Sequence, residues 1–134
     1  MELLTHRKND YLLDASFDTL HGESKDWLKE LEFWSDEMAF FYKLLHKKGP
    51  GEAFPAKDLA AIEKALIRIN GEVLDRVRTG VLSHERLLSS ILKSTSMTEE
   101  HVYRETHRRL HAEMYNLNAL IRSFKKDVFE FYSE

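Results

Sequence analysis

There is no cysteine among the 134 residues of this chain. That excludes disulfides, thiolate metal sites and a cysteine nucleophile. Proline and glycine are scarce, at two and five. Both prolines and two of the glycines fall within Gly49–Pro55, leaving the rest to long regular elements. There is no basic surplus either. The formal net charge is −3, which argues against general nucleic-acid binding. Arg108, Arg109, Arg122, Lys125 and Lys126 crowd the last third and read as a solvated helix face. No apolar run approaches the ~18–20 residues a transmembrane helix needs, so no membrane partner is expected. The opening MELLTHRKNDYLLD lacks the basic start, apolar core and small-residue cleavage site of a signal peptide. A cytoplasmic protein is the expectation. Phosphate-binding glycine loops, nucleotide fingerprints and serine-triad signatures are missing as well.

What is present is a well-filled helical pattern. Hydrophobic residues make up 43% of the chain and charged ones 32%, a balance that suits one globular domain over residues 1–134. The most aromatic stretch is 24–48. Trp27, Leu31, Trp34, Met38, Phe41 and Leu45 alternate by four and three, which sets them on one helical stripe. Phe33, Phe40 and Leu44 widen that stripe, so this helix needs at least two neighbours. Ser24 is the expected cap, after a break near Gly22. Lys47-Lys48-Gly49-Pro50 is a stop signal.

A second helix is expected over 56–93, with Leu59, Ile62, Leu66, Ile69, Val73, Val77, His84, Leu88 and Ile91 inward. Its spacings fit eleven-residue offsets, which predicts a straighter or slightly right-handed path. Gly80 marks the expected kink or close helix contact, with a break into two helices as the alternative. Ser96 and Glu99 form a capping box for a third helix over 97–132, whose stripe runs from Tyr103 to Phe131. Short connections make consecutive helices antiparallel. The fold class is therefore all-α: a long up-down-up three-helix bundle. At ~1.5 Å per residue the first helix is shorter than the other two. Residues 1–22 are left as an N-terminal helical arm to cover the difference. If the arm folds back, the bundle has four helices.

Chemistry gathers at two places. His84 and His107 sit on inward stripes at matching distance from one turn, with His21 near the same layer. His107 and His111 are one helical turn apart, a spacing by which two imidazoles can share a metal. One reading is a metal site of His84, His107 and His111, with His21 or Glu23 completing it and a divalent transition metal bound. The other, and the leading one, is a buried polar layer of neutral histidines with no cofactor. The Glu-x-x-His element of di-iron bundles occurs nowhere in the chain. The second place is the pair Glu30 and Glu37, seven apart on one edge of the first helix. A carboxylate within an aromatic arc must find a partner or shift its pKa upward. Antiparallel pairing sets Glu37 level with Lys64, Arg68, Arg122 and Lys125, and Glu30 near Asn118.

The run Trp27-Leu28-Lys29-Glu30-Leu31-Glu32-Phe33-Trp34-Ser35-Asp36-Glu37, continuing to Phe40-Phe41, resembles the first helix of uncharacterised small bacterial helical-bundle proteins. Their pattern is W-L-x-E-L-x-F-[WY]-x-D-E-x-x-F-[FL]. The resemblance implies a fold and carries no residue roles. The function expected is a non-enzymatic structural or interaction module, a homo-oligomer or a binder of a protein partner. The rival is the metal-binding bundle.

Overall fold

A computed structural model describes residues 16–47, 56–94 and 97–133, all helical apart from Ser16. Helix α1 is Phe17–Lys47. Helix α2, Ala56–Arg68, leads through a π-helical turn, Ile69–Val73, into α3, Leu74–Ser94. Arg68 and Leu74 keep right-handed helical dihedrals, so the three pieces form one rod. Helix α4 is Met97–Ser133. The protein is thus an all-α bundle of three rods. Cross-contacts give their directions. Glu23 meets His107 and Leu44 meets Tyr132, so α1 and α4 run parallel. Ser35 lies beside Asn70 and His21 beside Glu85, so the middle rod runs the other way.

The first helix begins two turns earlier than Ser24. Ser16 is its cap: the backbone N–H of Thr19 donates to Ser16 Oγ at 3.2 Å. Gly22 lies inside the helix and Ser24 is fully buried there. The physical reason is packing. Leu20 is wholly buried against Leu88, Ile91 and Tyr103, with Phe17 at the edge of the same cluster. Such burial, at ~1.5–3 kcal/mol per large side chain, outweighs the ~1 kcal/mol a helical glycine costs. The extension makes α1 31 residues long, and this covers the end of the bundle assigned to the arm. Residues 1–15, on which the rest of the arm and the fourth helix fall, lie outside the described residues. So does Ser96 of the capping box.

The second rod differs from the expected gentle drift. Leu59, Ile62, Leu66, Ile69 and Val73 step by three and four, and so do Leu74, Val77, Val81, His84, Leu88 and Ile91. The two series are out of phase by one residue. The π-turn absorbs that residue: Leu74 N–H donates to the carbonyl of Ile69, five positions back, and Val73 and Leu74 are both buried. The irregularity therefore sits at residues 69–73 rather than at Gly80. Gly80 does mark a close contact, since a Cβ there would stand 3.5 Å from Leu110 Cδ2.

Two apolar clusters make the core. The larger runs from Leu31 and Val81 to Phe131, and the smaller is the Leu20 cluster at the other end. The buried polar side chains Ser24, His84 and His107 lie between them in sequence register. Trp34 is in the large cluster and only 3% exposed. We predict that Trp34→Ala costs ~3–5 kcal/mol in denaturant melts, much of the stability of a domain this size. A loss below ~1 kcal/mol, the level of an ordinary surface change, would contradict this packing.

Candidate functional site

The histidine layer is built from all three rods. Residue 24 continues the α1 stripe backwards, so Ser24 faces inward and Glu23 lies beside it. His84 occupies an inward position of α3, and Tyr103 and His107 are one turn apart on α4. His107 Nε2 stands 2.9 Å from Glu23 Oε1. His107 Nδ1 stands 2.9 Å from His84 Nε2. The protons follow from the chemistry. An ionised carboxylate only accepts, so His107 donates from Nε2. A neutral His107 then accepts at Nδ1, and His84 donates from Nε2. His84 Nδ1 is left as a buried acceptor without a partner. Ser24 Oγ and Tyr103 Oη are also buried and act on each other, the Ser24 hydroxyl opposing the upward pull on the Tyr103 phenol.

Aromatic rings clamp this chain. His84 stacks on Tyr103, ring centres 4.0 Å apart and 6° from parallel. Trp27 stacks on His107 at 4.5 Å. Burial is the main reason that His84 is held at a pKa of about 4, with His107 and Arg109 adding to it. Burial also holds His107 below the ordinary value, against the opposing pull of Glu23. The Tyr103 phenol is pushed up, first by burial and then by Glu85. His21 pairs with Glu85 at the rim of the layer.

His111 does not join His84 and His107. Four residues turn a helix by about 400°, which carries His111 some 40° past His107 toward α1. There it lies edge-on to Trp27, with ring centres 6.4 Å apart. The nitrogens of the buried pair face each other rather than a common point. Among the described residues, no three histidine, cysteine or acidic side chains are grouped to hold a metal ion. The structure shows a two-histidine chain ending on Glu23, with His111 set apart from it against Trp27.

Of the carboxylate pair, Glu37 meets Lys125 across α1 and α4. Glu30 lines a groove between the same two helices, with Trp27, Trp34, His111, Met114, Tyr115 and Asn118. Sequence reasoning gave Ser24 a capping role and gave Tyr103 and Glu85 no part in the layer. Ser24 was readable: Leu20, Ser24, Trp27 and Leu31 continue the four-three alternation without a gap. No protein-family model, curated protein or solved structure matches the chain.

The layer has a signed pH dependence. His84 has an ordinary pKa of 6.5 unfolded and about 4 folded. Between those values the unfolded chain binds more protons. Stability is therefore full above pH ~6.5 and falls as pH drops toward ~4. We predict that His84→Leu with His107→Leu flattens this dependence in pH-dependent melts and raises stability at neutral pH. Glu23, part-exposed, retains water as a partner in that variant. An unchanged pH profile would contradict neutral buried histidines.

Proposed function

We propose that the protein is a non-enzymatic structural and interaction module that associates with itself through the face of α1 and α4. The observation that carries this is a set of exposed aromatic side chains. Phe33, Phe40, Tyr115 and Phe129 are 57%, 61%, 73% and 62% exposed, all on these two helices. Phe40 packs edge-on against Phe41, and Phe41 against Phe129, so these two exposed rings are tied to the core. Apolar groups of this size facing water favour covering by another protein surface. Rings held by core neighbours lose little freedom when covered. No described helix is long and apolar enough to cross a membrane. With a cysteine-free composition, a cytoplasmic setting is the natural reading.

Sedimentation and light scattering across micromolar concentrations test this. The expected result is a rise in mass with concentration. Phe40→Ser with Phe129→Ser should leave a helical monomer of unchanged pH behaviour. A wild-type chain that stays monomeric throughout would sink the self-association reading.

A further inference from the structure

Glu30 and Glu37 occupy the same edge of α1, one heptad apart. On α4, Asn118 and Lys125 are also one heptad apart. Since α1 and α4 run parallel, the two pairs face each other in register. Glu37 receives the Lys125 ammonium. Glu30 lines the groove with Asn118, which has no charge to give it. Among the described residues, no lysine, arginine or histidine pairs with Glu30. Here the bundle opens into a groove of about 300 Å³. Its lining adds Trp27, Trp34 and Tyr115 to the carboxylate. Aromatic surface lining the same groove as one unpaired carboxylate favours an organic cation.

We propose that this groove binds a small organic cation, a methylated ammonium ion, which takes at Glu30 the place that Lys125 takes at Glu37. The carboxylate supplies the charge. Trp27 and Tyr115 supply ring surface that a hydrated metal ion could not use. Asn118 and His111 offer hydrogen bonds to a polar tail. The groove is shallow and open, with Glu30 and Tyr115 exposed, which fits a weakly held ligand of few heavy atoms. The site goes beyond self-association but shares Tyr115 and the α1–α4 face with it, so a second copy there competes with the ligand.

Trp27 and Trp34 are the only tryptophans, and both line the groove. Their two indole N–H signals therefore report on it in a nitrogen–proton spectrum. The probe is choline, compared with its neutral carbon isostere 3,3-dimethylbutan-1-ol. The expected result is a saturable shift of an indole signal at millimolar choline. The isostere should bind at least about tenfold more weakly, the scale of one cation–π or charge contact. Glu30→Gln should weaken choline by a similar factor, and Tyr115→Ala should weaken it less. Asn118→Lys should supply the missing ammonium internally and abolish the shift while the fold is kept. The same titration in Phe40→Ser, Phe129→Ser should still saturate, so failure of self-association and failure of this site are read separately. No saturable shift in the Phe40→Ser, Phe129→Ser background, an isostere equal to choline, or a Glu30→Gln variant equal to its parent would each overturn the proposal.

Discussion

The hydrogen-bond chain Glu23–His107–His84 crosses all three rods in a single layer. A buried polar layer of this kind acts through the cost of the alternatives. Sliding α4 by one turn would leave His84 and His107 buried without partners, at ~1–3 kcal/mol for each orphaned group. Apolar layers tolerate such slips far better, because one leucine replaces another with little loss. The chain therefore sets the register of the bundle more than it adds to stability. The Leu20 cluster on one side and the long core on the other meet at this fixed layer. The pairs Glu37–Lys125 and Tyr132–Leu44 lie at the register it dictates, with α4 numbers 84 to 88 above those of α1.

Much of the fold was legible because heptad spacing is a direct image of which side chains are buried. The stripes of α1 and α4 in the structure are those written by Trp27–Leu45 and Tyr103–Phe131. What was not legible was local preference overridden by packing. Gly22 and Ser24 look like a helix start by propensity, yet Leu20 and Phe17 hold two further turns in place. A one-residue slip at Val73 and Leu74 has the same spacing signature as a slow supercoil drift. Only the backbone shows that one π-turn takes all of it.

The candidate site was legible in part for the same reason. Equal distance from a turn brings His84 to His107, and geometry of that kind is carried by the sequence. The role of His111 was not, because four-residue spacing leaves an angular offset that decides which rod a side chain meets. The contrast between Glu30 and Glu37 rests on a single difference on the opposite helix, Asn118 against Lys125. Such a difference acquires meaning only when the parallel pairing of α1 and α4 is known.

The π-turn has a consequence for how this chain tolerates change in length. Each residue added to or removed from a helix turns everything beyond it by about 100°. At most points in these rods, a deletion would swing the distal core face into water. At residues 69–73 the opposite holds, because the middle rod already carries one residue more than its heptads use. Removing Gly71, whose would-be Cβ meets nothing within 4 Å, joins the two series into one unbroken alternation. His84, Leu88 and Ile91 then keep their faces. The second rod is thus asymmetric toward lesions of the reading frame of the fold. A loss of one codon here is silent in the core, and the same loss a few turns away is ruinous. Comparison of melting temperatures for single-residue deletions along the rod would expose this, and a Gly71 deletion as damaging as its neighbours would disprove it.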